Sequence, residues 1–113
     1  MRIRRSTEFL QDEDIRLIAK VSDAFSHPLR LKMFQYIMSQ NAQLKPVCNK
    51  DLVEEFQYAQ STISQHMSIL VRSGLLQLEK KNKYSYYFVH MGNYNTYVNA
   101  ISKFLFQKAN AIK

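Results

Sequence analysis

Apolar residues recur at spacings of three and four in five stretches of this chain, and between the fourth and fifth the spacing drops to two. The first stretch, Asp12 to Phe25, carries Ile15, Leu17, Ile18, Val21, Ala24 and Phe25 behind an Asp12 cap, with Glu13 and Asp14 in the positive first turn. Ser26-His27-Pro28 ends that helix and starts a second, because proline disfavours helix in the residue before it yet fits the first helical position itself. The second helix, Pro28 to Gln40, has Leu29, Met33, Phe34, Tyr36, Ile37 and Met38 over a wide arc, as expected of the central helix of a small bundle. Asn41 to Val47 reads as a loop ending at Pro46, and Asn49 to Phe56 as a short third helix with Leu52, Val53 and Phe56 on its inner side.

The stretch from Ala59 to Leu75 is the most telling. On a helix, Ile63, Met67 and Leu70 form one apolar stripe, while Ser61, Ser64, Gln65 and Ser68 share a flank that carries no acid and ends at Arg72. Such a flank suits base edges and does not repel phosphate. Two short helices joined through Gln57–Ala59 make a helix-turn-helix. Gly74 then supplies a helix-ending left-handed residue, and Leu75–Lys80 alternates into Tyr84–Val89 across a Lys81-Asn82-Lys83 turn. The tyrosines Tyr84, Tyr86 and Tyr87 suit a strand. A helix-turn-helix followed by a basic hairpin is a winged helix.

A last helix opens at Gly92-Asn93, with Tyr94, Tyr97, Val98, Ile101, Phe104 and Leu105 at spacings of three and four and Phe106 off that stripe. The predicted architecture is therefore mainly α with a small β-hairpin: five helices and a two-stranded wing. The expected division is a flexible basic arm over residues 1–11, with Arg2, Arg4 and Arg5, and one winged-helix domain over 12–108. A chain of 113 residues covers a terminal helix of this kind poorly, so the first and last helices are expected to form a two-fold interface through Ile15, Ile18, Val21, Tyr97, Ile101, Phe104 and Leu105.

Charge sharpens this picture. The net formal charge is +7, but it is lopsided: residues 1–56 hold nine Lys or Arg against eight acids, and residues 57–113 hold seven against Glu79 alone. The basic half is the half that contains the recognition helix and wing. No run approaches the roughly eighteen apolar residues of a membrane span, and the opening Met-Arg-Ile-Arg-Arg-Ser leads into acids rather than an apolar core, so no membrane association is expected and the expected location is cytoplasmic.

Chemistry-bearing residues are sparse. There is no paired-acid, nucleophile–base or phosphate-loop constellation, which argues against an enzyme. Cys48 stands alone: it is read either as a small semi-buried residue at a helix start or as a thiol activated there by the helix dipole and Lys50. His27, ahead of Pro28, reads as a packed or capping residue, and His90 as surface or core edge.

Three local patterns together resemble the ArsR family of bacterial winged-helix repressors over residues 20–90: Phe25-Ser-His-Pro-Leu-Arg-Leu-Lys-Met, Gln60-Ser-Thr-Ile-Ser-Gln-His-Met-Ser-Ile-Leu, and Gly74-Leu-Leu followed by Tyr86-Tyr-Phe. The resemblance implies a homodimer paired through its first and last helices, a palindromic operator near its own gene, and release of double-stranded DNA on a signal. It assigns Gln60, Ser61, Thr62, Ser64, Gln65 and His66 to the major groove and Lys80, Lys81 and Lys83 to phosphates, with the recognition helix over 60–73 and the wing at 80–84. The chain departs from the family at Ala59, where a hydroxyl residue usually caps the recognition helix; that loss costs about 1 kcal/mol. It departs again at the sensing sites: Pro46-Val-Cys-Asn-Lys-Asp has one thiol where the thiol-sensing branch has a pair, and residues 93–113 contain no Asp, Glu, His or Cys for a metal. No metal or other cofactor is expected, and the inducer is left open. The competing reading is a winged-helix protein-interaction module whose basic face meets an acidic partner protein.

Overall fold

A computed structural model describes the backbone of residues 10–112 and the side chains of residues 10–106. Most of the expected arm at 1–11, including its three arginines, lies outside the described residues. The order is α1 (Asp12–Ala24), α2 (Pro28–Ala42), β1 (Val47–Cys48), α3 (Asn49–Phe56), α4 (Gln60–Arg72), β2 (Leu76–Lys81), β3 (Tyr84–Val89) and α5 (Met91–Ile112). The five helices and the wing of the sequence reading are all present.

Several details differ from it. The second helix runs on through Asn41 and Ala42, where the sequence pattern predicts the start of the loop. Gln11, not Asp12, caps α1, and the Asp14 carboxylate reaches back to accept its N–H at 3.2 Å. The first hairpin strand runs one residue further along, Leu76–Lys81, while the second spans Tyr84–Val89 as read, so Lys81 lies opposite Tyr84 and the turn is the two-residue Asn82-Lys83, in which Asn82 takes φ 59°. The wing also has a third strand, giving the order β1-β3-β2: Val47 and Cys48 pair antiparallel with Tyr87 and Tyr86. Two residues are too short for a period-two pattern to register, so nothing in the chain announces β1.

The core lies where α2 crosses α3, α4 and the base of the wing. Met33, Ile37, Leu52, Ile63, Met67, Leu70 and Leu75 are fully buried, each contributing about 1.5–3 kcal/mol relative to exposure. Phe25 meets Phe34 edge-on at 5.1 Å and Tyr97 at 6.1 Å, joining the end of α1 to α2 and α5. Gly74 takes φ +87° to turn α4 into β2, and Asn93 Nδ2 donates to its carbonyl at 2.8 Å, so the same turn anchors α5. Val21, expected on the pairing face, is 1% exposed and belongs to the core, because α1 covers its own chain over its last turns.

Candidate nucleic-acid interface

The turn between α3 and α4 is fixed by backbone geometry before any side chain is placed on it. Gln57 adopts φ 61°, its N–H donates to the Val53 carbonyl at 2.9 Å, and its side-chain amide donates to the Glu54 carbonyl at 2.7 Å. Ala59 begins α4 without a side-chain cap, as its methyl group requires. The apolar stripe Ile63, Met67 and Leu70 is buried against α2 and α3. That orientation leaves Gln60, Ser61, Gln65, Ser68 and Arg72 exposed on the outer side, with no acidic side chain on the helix. Lys80, Lys81 and Lys83 are exposed at the hairpin tip. A cleft of about 570 Å³ separates that tip from α4; Lys50, Glu54, Gln60, Lys83 and Tyr84 are among the residues that line it.

Three other residues assigned to the groove are partly buried, and two of them are held by partners within the chain. Thr62 is half-buried. Ser64 Oγ accepts from Asn49 Nδ2 at 3.1 Å, and Asn49 Oδ1 in turn accepts from the Tyr87 hydroxyl at 2.8 Å. Burial pushes the Tyr87 hydroxyl above the usual tyrosine range, although the bond to Asn49 opposes the shift, so the phenol stays a donor. This chain of bonds ties α4 to α3 and to β3, so the recognition helix and the wing share one polar strut. His66 lies with its ring 4.6 Å from that of His27 and its Nδ1 3.1 Å from Arg30 Nη1.

Arg30 and Asn49 are the residues that sequence reasoning missed. A signal for Arg30 was present: it interrupts the apolar arc of α2, next to Leu29. It is 9% exposed, its Nε donating to the Ala24 carbonyl at 2.7 Å and its Nη2 to the Asp23 carbonyl at 3.5 Å. The end of α1 is thus closed by a guanidinium, which suits the negative pole of a helix. His27 caps α2 by accepting from Leu29 N–H at 3.2 Å, and His90 performs the same role for Asn93 at 3.0 Å at the start of α5. Cys48 caps α3 from an 8% exposed position, with its N–H and its thiol both directed at Asp51 Oδ2, at 3.0 and 3.4 Å. These contacts give Cys48 a structural role.

Several large apolar side chains of α1 and α5 stand exposed. Ile15 is 51% exposed, Phe104 43% and Leu105 59%, whereas Ile18, Tyr97 and Ile101 are partly covered. Across the same pair of helices, Lys103 Nζ lies 2.9 Å from Asp14 Oδ2, a bond that lowers the Asp14 carboxyl below its ordinary value, with the Gln11 N–H assisting.

No described helix is long and apolar enough to cross a membrane, and no group of three or more metal-ligating side chains occurs among the described residues. Comparison with known proteins agrees with the geometry. The family described as "Bacterial regulatory protein, arsR family" matches residues 27–77. An uncharacterized HTH-type transcriptional regulator of Bacillus subtilis, YbzH, is 31% identical over 60% of this chain and 78% of its own. Among solved structures, an ArsR-like transcriptional regulator from Rhodococcus superposes with a TM-score of 0.73 at 14% identity, over 87% of this chain and 88% of that one. The transcriptional repressor BigR from Xylella fastidiosa superposes with a TM-score of 0.59 at 18% identity, over 86% and 96%.

Proposed function

This chain belongs to the ArsR family of bacterial regulatory proteins, winged-helix transcriptional regulators that bind double-stranded DNA, and from that premise we propose that it acts as a homodimeric, sequence-specific repressor near its own gene. The observation that carries the reading is the outer face of α4, where Gln60, Ser61, Gln65, Ser68 and Arg72 stand exposed without an acid among them, flanked by the wing lysines. In this reading α4 enters the major groove. Gln65 hydrogen-bonds base edges, Gln being able to pair with adenine through two bonds, and the short hydroxyl residues fill in around it. Lys80, Lys81 and Lys83 bind phosphates and contribute affinity without choosing sequence. Lys50 lines the same cleft as Lys83 and joins that set.

The repressor part is supported by the name of one fold neighbour, BigR. The dimer is supported by the exposed Ile15, Phe104 and Leu105, which a second copy would cover. Two such copies read half-sites about one helical turn apart. Fluorescence anisotropy tests the proposal, using the duplex upstream of the protein's own gene against a shuffled duplex of equal length, titrated across salt. Preference for the native duplex by about a thousandfold, persisting near physiological salt, is the expected result. Equal binding to both that salt erases would refute it.

A further inference from the structure

His66 lies on the recognition helix, yet its contacts face inward. Its ring packs beside His27 at 4.6 Å, and its Nδ1 lies 3.1 Å from Arg30 Nη1. A guanidinium has donors only, so Nδ1 must be the acceptor and the ring proton must sit on Nε2. Arg30 is itself tied down by the Ala24 and Asp23 carbonyls at the end of α1. No described carboxylate pairs with it; the one described salt bridge, Lys103–Asp14, joins other residues. The bond Arg30–His66 therefore connects the α1–α2 corner to α4 through one neutral imidazole.

We propose that Arg30 is a positioning residue for DNA recognition: through neutral His66 it seats α4 against the α1–α2 corner, and protonation of His66 unseats the helix, so that acidification releases the specific duplex. This rests on the DNA-binding reading above. A proton arriving at Nδ1 removes the acceptor and places two cations about 3 Å apart in a partly buried site. The neighbouring charges do not relieve this. His27 faces the ring from the start of α2, and Arg72 stands further along α4 on the cleft that His66 lines. From α1, Lys20 and Asp23 line the same cleft as Arg30, and Asp23, the single acid in this set, makes no ion pair among the described residues. In agreement, burial first and then His27 and Arg30 lower His66 below the ordinary histidine value.

The direction of the pH effect is diagnostic. A histidine pointed at phosphate gains a charge on acidification and binds DNA more tightly; the seated histidine does the reverse. Anisotropy is measured from pH 7.5 to 4.5 at fixed ionic strength, with the upstream and shuffled duplexes. Specific affinity should fall roughly tenfold per pH unit below the His66 midpoint, while binding to the shuffled duplex holds or rises. In His66→Gln the amide oxygen still accepts from Arg30 and nothing on the side chain titrates, so specific affinity, taken relative to that variant's own value at pH 7.5, should lose its acid fall. Survival of the acid loss in that variant, or tighter specific binding in acid by the parent, overturns the proposal. Histidine NMR of the DNA-free protein provides a second test. In Arg30→Met, or Arg30→Gln should the first not fold, the His66 midpoint should rise, and in the parent the α4 amides should lose exchange protection as His66 titrates. An unmoved midpoint or unchanged protection refutes the seat even if neither duplex is bound at pH 7.5, a result that would count separately against the DNA-binding reading.

Discussion

The two faces of this small domain are finished in opposite ways. Behind α4, polar groups are matched within the chain: Tyr87 to Asn49 to Ser64 on one side, and Ala24 and Asp23 to Arg30 to His66 on the other. Across α1 and α5, Ile15, Phe104 and Leu105 stay exposed, and Lys103–Asp14 is the polar tie between the two helices. On the proposed function, the difference concerns what each face does. A helix that reads base edges has to be held to within a fraction of an ångström, which directional bonds achieve and apolar packing alone does not. If, as proposed, the other face joins a second copy, it needs buried area more than direction, which aliphatic and aromatic side chains supply.

The comparison breaks most visibly if the apolar face is made polar. Phe104→Asp combined with Leu105→Asp is expected to leave the far-ultraviolet circular dichroism unchanged and to yield a monomer in analytical ultracentrifugation. Affinity for the native duplex should then fall by about 10²–10⁴, because the second half-site loses its tether. A variant that remains dimeric would place the interface elsewhere.

On the other face, Asn49→Ala removes the acceptor of the Tyr87 hydroxyl and the donor to Ser64 together. Stability should drop by about 1–3 kcal/mol in denaturant melts, with specific binding weakened more than binding to shuffled DNA because α4 loses its tie to β3. Equal weakening of both would show that the strut supports the fold without aiming the helix.

Within the binding face itself, Gln65→Ala should cost about 1–3 kcal/mol on the preferred duplex and change which bases are preferred. Lys81→Ala should weaken all duplexes alike and reduce the slope of log affinity against log salt by about one. Identical profiles for the two variants would erase the division of labour between helix and wing.

The smallest effect belongs to the surface ion pair. Asp14 is held below its ordinary value, so its contribution is present above the unfolded carboxylate range and is lost as pH falls through the folded value. Asp14→Asn should therefore lower thermal stability slightly near neutral pH and not at pH 2, where the parent has already lost the pair. A gap between parent and variant that persists at pH 2 would assign Asp14 a role beyond its charge, such as the cap at Gln11.

Hydrophobic spacing in the sequence determined the five helices, the hairpin, the buried stripe Ile63–Met67–Leu70 and hence which side of α4 faces outward. The scarcity of acids in residues 57–113, with Glu79 alone against seven Lys or Arg, pointed to an anionic partner, and Gly74 marked the turn where α4 ends. These were legible because periodicity and charge are local properties: a residue three or four positions away shares the same face whatever the rest of the chain does. Tertiary structure alone decided the strand β1, the placement of Val21 in the core, and the partners of Ser64 and His66. Their determinants are 15 and 36 residues away along the chain, respectively. A hydrogen bond over such a distance leaves no period in the sequence. It arises only when packing brings the start of α2 beneath α4 and sets α3 between α4 and β3, so that Ser64 and His66 each end a strut within the chain.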